Sequence, residues 1–228
     1  MGAKIASKSE VIQLINMTTP SAPLKRETYH HGNLEDAVLA VARNHIETKD
    51  IGKLSFRGVA AEAGVSHRAL YRFFADREAL LWRVAQIGFA ELLEACKAAS
   101  AGKQGADALR AFMSAYARYA FEHFSLYKMM YSLPLMREFT KQSPVSRQLQ
   151  ELFNLAASYA QFESASPTQI RDRVNRIWAQ VHGMIEFFQC GALSAKSKEH
   201  ALTYIDSATL TFLSHETQLN QHGPKPGL

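Results

Sequence analysis

The sequence predicts an all-α fold divided into a small three-helix N-terminal domain and a larger helical C-terminal domain. Three observations carry that expectation. Apolar residues recur at spacings of three and four through nearly every segment, and no stretch alternates as a strand would. Glycine and proline gather at the breaks and near the chain ends. Residues 55–74 hold two short apolar-periodic pieces on either side of Gly64, each opened by a serine. The resulting divisions are a flexible arm over 1–27, the small domain over 28–76, the larger domain over 77–216 and a disordered tail over 217–228.

Within the arm, Glu10 to Met17 is helix-like, and the Thr, Ser and Pro residues of 18–23 argue for flexibility. Lys25 and Arg26 suit a DNA phosphate or the minor groove, or are incidental charge on a tail. The first helix is predicted from about Asn33 to Glu47, because Leu34, Ala37, Val38, Val41, Ala42, His45 and Ile46 form one apolar seam. His45 on that seam reads as a packed, hydrogen-bonded residue. Two short helices follow at about 56–63 and 67–74. Asp76 is a candidate cap for a long helix from Arg77 to about Ala98, linking the two domains. Further helices are expected near 104–124, 125–132, 144–162, 168–190 and 198–214, with breaks at Gly102, Pro134, Ser143-Pro144, Ser164 to Pro167 and Gly191.

The 55–74 segment is the most specific feature. Ser55 and Ser66 can each cap a helix, flanked by possible staples, Leu54 with Val59 and Val65 with Leu70. Gly64 can take the left-handed conformation that ends the first of the two helices. On the second helix, Ala69, Leu70, Phe73 and Phe74 fall on or beside one stripe, while His67, Arg68, Tyr71 and Arg72 recur on another. That is how a helix-turn-helix presents a helix to the DNA major groove.

The same segment resembles the N-terminal domain of the TetR family of bacterial transcriptional regulators. The resemblance runs through Tyr29-His30-His31-Gly32-Asn33-Leu34, Ala63-Gly64-Val65-Ser66, Ala69-Leu70-Tyr71, Phe74 and Arg77-Glu78-Ala79-Leu80-Leu81. Downstream, Trp178-Ala179-Gln180-Val181-His182-Gly183 resembles the Trp-His-Gly motif of a C-terminal regulatory domain in one branch of that family. The resemblance implies a repressor that pairs its last two helices into a four-helix bundle, binds a small-molecule effector and sits on a pseudo-palindromic operator. It also implies that Tyr71 meets a phosphate. Phe73 departs from the histidine many relatives carry there, which puts one backbone contact in doubt.

The candidate DNA-binding residues are Ser55, Arg57, Ser66, His67, Arg68, Tyr71, Arg72 and Arg77. Ser66, His67 and Arg68 open the recognition helix and so fall nearest the bases. Arg68 suits bidentate contact with a guanine, while Arg72 and Arg77 suit phosphates. Ser55 and the amides that start its helix form a second anion site. Arg57 either contacts the DNA backbone or pairs with Glu62 or Asp36. A single module makes few contacts, so a homodimer with recognition helices about 34–36 Å apart is expected. Ile170, Val174, Ile177, Val181, Met184, Ile185 and Phe188 on one helix, with Leu202, Ile205, Ala208, Thr209 and Phe212 on the next, are candidates for its interface or for monomer core.

Trp178 and His182 are one turn apart, hence neighbours on a helix face. With Phe121, Tyr127, Met130 and Tyr131 they are the candidate effector pocket, against the alternative that such a cluster is simply core. Gly183 would let a helix or ligand approach closely. A net charge of +5 favours polyanionic partners only weakly at 228 residues. Cys96 and Cys190 are too few for a disulfide framework and lack metal-ligand spacing, so no metal and no cofactor are expected in a cytoplasmic protein. No apolar run reaches membrane-spanning length and no signal peptide is evident. No phosphate loop, metal cluster or nucleophile elbow speaks for an enzyme. The competing reading is a helical homodimeric ligand-binding or interaction protein whose DNA-binding face no longer functions.

Overall fold

A computed structural model describes residues 31–48, 52, 54–132, 144–161 and 165–222. The arm over 1–27, with Lys25 and Arg26, lies outside them. In chain order the helices are α1 His31–Thr48, α2 Phe56–Glu62, α3 His67–Leu70, α4 Arg77–Ser100, α5 Gly105–Glu122, α6 Phe124–Met130, α7 Pro144–Tyr159, α8 Pro167–Gln189 and α9 Lys198–His222. No strand occurs among the described residues.

Local chemistry sets the helix starts. Asp76 is extended and its Oδ1 accepts from Ala79 N at 2.8 Å, opening α4. Ser166 and Gln169 form a reciprocal capping box, with Pro167 at the first helical position of α8. Each satisfies amides that a helix start otherwise leaves unpaired.

The apolar seam of α1 buries Val38, Ala42 and Ile46. They join Leu54, Val59, Leu70 and Phe74 from the α2–α3 hairpin and Leu80, Leu81 and Val84 from the start of α4. At 24 residues, α4 is about 36 Å long. Its far half packs Phe89, Leu92, Leu93 and Cys96 against Phe112, Tyr116 and Leu152 in the same continuous core. One helix therefore belongs to both domains. Around it, α5 packs on α4, α7, α8 and α9, while the short α6 touches α1, α4 and α5. At Gly88, α4 and α6 are so close that an added Cβ would stand 2.7 Å from Met130 Sδ.

Three expectations change. Regular α-helix in α3 covers only His67–Leu70, and Tyr71 to Phe73 continue as a turn. There Arg72 N and Phe73 N reach back three residues, to Ala69 O and Leu70 O. The tail predicted from 217 is helical as far as His222. Finally, Val174, Ile177, Val181, Ile185 and Ile205 are fully buried within one chain. Those five and Thr209 are thus monomer core, while Ile170, Met184, Phe188, Leu202, Ala208 and Phe212 stay partly exposed, since apolar period marks a buried face without saying what buries it.

Candidate nucleic-acid interface and regulatory cluster

The α2–α3 hairpin is held by backbone chemistry readable in its residues. Ser55 is extended and its Oγ accepts from Gly58 N at 3.0 Å; Ser66 does the same for Ala69 N at 3.1 Å. Gly64 has φ +68°. Around it Val65 N bonds Ala60 O at 2.9 Å and Gly64 N bonds Ala61 O at 3.2 Å, the paired contacts of a Schellman motif. The turn fixes the angle between the helices. With Leu70 and Phe74 buried, the opposite face of α3 is turned outward.

That outer face carries the predicted set. Arg57, His67, Arg68, Tyr71 and Arg72 are all exposed, as are the two capping serines. Among the described residues the side chains of Arg57, Arg68 and Arg72 make no hydrogen bond or ion pair. Glu62, weighed as a partner for Arg57, instead meets His45 Nε2 at 2.6 Å, which gives His45 its hydrogen bond. Arg77 sits differently from the rest. It is partly buried, and its Nε donates to Leu54 O at 2.9 Å, clamping the entry to α2 against the start of α4.

Phe56 was absent from the predicted set. Its ring lies 5.0 Å from Tyr71 and 6.1 Å from His67, and those two rings are 5.1 Å apart, all edge to face. Such pairs are worth about 0.5–1.5 kcal/mol beyond area burial. The one sequence signal was an aromatic residue at the first position of a capped helix.

Between the domains, Glu91 of α4 accepts from Arg43 of α1 and, at 3.1 Å, from Tyr119 Oη of α5. Arg43 also reaches Glu47 at 3.2 Å, and Glu47 meets His123 Nδ1 at 2.9 Å, in the junction of α5 and α6. Burial pushes the Glu91 carboxyl upward, but its bonds to Arg43 and Tyr119 outweigh that and hold it below the usual range.

Further into the large domain, Trp178 and His182 share a face of α8, as their spacing predicts. Both reach Tyr116, which the sequence reading missed: Trp178 Nε1 donates to Tyr116 Oη at 3.0 Å. Tyr116 Oη lies 2.9 Å from Tyr127 Oη, and Tyr127 Oη bonds His182 Nδ1. Tyr131 sets its ring edge to face 5.2 Å from His182, and its buried hydroxyl lies beside Tyr116 and Trp178 without a hydrogen bond of ordinary geometry. Four predicted pocket residues, Tyr127, Tyr131, Trp178 and His182, therefore converge. The other two pack elsewhere. Met130 is fully buried beneath Gly88, and Phe121 packs on Phe188, 6.4 Å between centroids. Gly183 makes no close approach, since nothing lies within 4 Å of an added Cβ. No group of three or more His, Cys, Asp or Glu among the described residues is arranged to hold a metal, and no described helix is long and apolar enough to cross a membrane.

A Schellman-turned helix pair offering unpaired arginines, carried on a long helix into a separate helical domain, defines a helix-turn-helix regulator. Residues 38–84 match the family model described as bacterial regulatory proteins, tetR family. Residues 109–206 match the Tetracyclin repressor-like, C-terminal domain. The chain belongs to the TetR family of transcriptional regulators. Among solved structures it is similar to a protein with unknown function from Rhodococcus sp. RHA1, at 28% identity over 83% of this chain and 98% of that one, with TM-score 0.68. It is also similar in fold to the TetR family regulator PfmR from Thermus thermophilus, at 17% identity, 88% and 100% coverage and TM-score 0.56. A third likeness is to FadR from Bacillus subtilis in complex with stearoyl-CoA, at 13% identity, 78% and 96% coverage and TM-score 0.60. No curated protein matches the chain in sequence.

Proposed function

We propose that the chain is a homodimeric, sequence-specific repressor of the cytoplasm, released from a pseudo-palindromic operator by a small-molecule effector. The observation that carries the DNA reading is the row of exposed arginines on the hairpin without protein partners, Arg57, Arg68 and Arg72. Arg68 and His67, at the start of α3, read base edges. Tyr71, Arg72 and Arg57 hold phosphates and set register. Ser55 and Ser66 accept from backbone amides, so each hydroxyl keeps its own proton to donate to a phosphate oxygen. Arg77 contributes through its clamp on Leu54, by fixing the hairpin to α4.

The dimer uses the outward faces of α8 and α9. Phe187, Tyr204 and Leu210 are large apolar residues exposed there, and Gly183 leaves bare backbone for a partner helix. A second copy across a two-fold axis covers them and sets the spacing of the two α3 helices. Trp178, His182, Tyr127 and Tyr131 form the effector site, in the Trp-His-Gly branch that the 178–183 motif suggests. The like-folded FadR with stearoyl-CoA supports an effector as part of this architecture. The effector acts by preferring the conformation whose recognition helices are wrongly spaced.

Selection of random duplex DNA by the purified full chain at near-physiological salt, with sequencing of the bound pool, tests this reading. The expected result is an enriched pseudo-palindrome. Folded protein that enriches nothing, with and without cell extract, and binds DNA without salt dependence would sink it.

A further inference from the structure

Along their outer side α4 and α5 leave a groove of about 460 Å³. Its floor is made by Ala95 and Ala99 of α4 and Ala111 and Ala115 of α5, all only partly buried. Four methyl groups leave open a space that longer side chains would fill, and they line it with apolar surface. The bond from Tyr119 to Glu91 at 3.1 Å and the contact of Cys96 Sγ with Phe112 O at 3.6 Å show that the two helices run antiparallel. Lys103, in the turn between them, and Arg118, one residue before Tyr119, therefore stand at opposite ends of the groove. From Ala111 to Arg118 its α5 side runs about 10 Å.

Both cations are available to a ligand. Lys103 Nζ spends one proton on Ala99 O at 2.9 Å, which holds the ammonium beside the floor and leaves two protons to donate. The Arg118 side chain is exposed and makes no hydrogen bond or ion pair among the described residues. The other polar groups of the lining are committed elsewhere. Ser114 Oγ donates to Asp206 Oδ1 at 2.8 Å, Glu122 accepts from Lys198 Nζ at 3.1 Å, and Tyr119 Oη donates to Glu91. With the Glu122 charge offset by Lys198, the groove presents in order a cation, an apolar floor and a second cation. The complement of that order is a molecule with an anionic group at each end and hydrocarbon between.

We propose that this groove binds a straight-chain α,ω-dicarboxylate, at a site separate from the Trp178 and His182 cluster. Tyr119 forms part of its wall, and the hydroxyl of the same residue holds Glu91, the carboxylate shared with Arg43 of α1. An occupant therefore bears on the tie between the domains.

The probes are sebacate, decanoate, 1,10-decanediol and succinate, which separate the two charges from the body that joins them. They are titrated into the full-length protein without DNA, at neutral pH and fixed salt, and followed by ligand-detected NMR. Sebacate is expected to bind about fivefold tighter than decanoate, which can use one cation only, and tighter still than decanediol or succinate. Arg118→Ala and Lys103→Ala should each bring sebacate to the level of decanoate, with far-UV circular dichroism unchanged because both side chains are exposed. Ala111→Leu, which fills the floor, should weaken sebacate, decanoate and decanediol alike. Arg171→Ala removes another exposed cation, on α8, and should leave all four affinities as they were. Succinate or decanediol binding as tightly as sebacate, a sebacate preference that survives the combined Lys103→Ala and Arg118→Ala change, an equal loss from Arg171→Ala, or no binding of any probe would overturn the proposal. The readout involves no DNA, so it fails or succeeds separately from operator selection.

Discussion

Replacing Glu91 with alanine removes the carboxylate shared by Arg43 of α1 and Tyr119 of α5, and its cost can be built from the two partners. Tyr119 is 7% exposed, so its hydroxyl loses its acceptor in a place water hardly reaches. An orphaned buried donor costs about 1–3 kcal/mol. The Arg43 and Glu91 side chains are 24% and 39% exposed, and Arg43 keeps Glu47, so that half contributes about 0–1 kcal/mol after solvent screening. Together Glu91→Ala is expected to destabilise by about 1–4 kcal/mol. Tyr119→Phe alone should cost about 1.5–3 kcal/mol, the worth of a hydrogen bond to a charged acceptor. The double variant has no hydroxyl to orphan, so it should fall short of additivity by about 1–2 kcal/mol. The assay is urea unfolding followed by circular dichroism, at one fixed protein concentration because association adds to apparent stability. If the two changes add within about 0.5 kcal/mol, the shared carboxylate is not what ties the domains together.

Other outcomes follow from the same contacts. Arg68→Ala should relax base preference at one position, costing about 1–3 kcal/mol on the selected sequence and little on random DNA, whereas Arg72→Ala should weaken both alike and lower the salt slope by about one; competition binding over a salt series separates them. Phe56→Ala should weaken operator binding several-fold and also lower the unfolding midpoint, because His67 and Tyr71 lose the ring they lean on, and Phe56→Tyr should restore both. Both Glu91 and Asp206 have folded pKa values below the ordinary carboxylate range, Glu91 through Arg43 and Tyr119 despite burial, Asp206 chiefly through its bond with Arg110. A depressed carboxylate stabilises above its unfolded value and loses that contribution as pH falls through the folded one, so the gap between wild type and Glu91→Gln in urea unfolding should shrink on acidification below about pH 4.5.

Sequence period and capping residues were enough to read the hairpin. Ser55, Gly64, Ser66 and Asp76 act within three to five residues of themselves, so their geometry is local and their spacing reveals it. The pairing of Trp178 with His182 was legible for the same reason. What the sequence hid is non-local. Nothing in the order of residues brings Glu91 to Arg43, 48 positions away, or Tyr116 to Trp178, 62 positions away. Arg77 shows a subtler failure: a cation at the right place beside a DNA-facing helix was absorbed by a carbonyl 23 residues upstream. The α8 and α9 stripes were ambiguous, since an apolar face packed inside the chain and one packed on a second copy share a single pattern.

The close approach of α4 and α6 at Gly88 constrains how this chain can vary. Met130 fills the space a side chain at position 88 would need, and Met130 is itself fully buried. Enlarging one position therefore calls for shrinking the other. Gly88→Ala should be tolerated far better alongside a trimmed residue at 130 than alone, and the two positions should covary among relatives that keep this helix crossing.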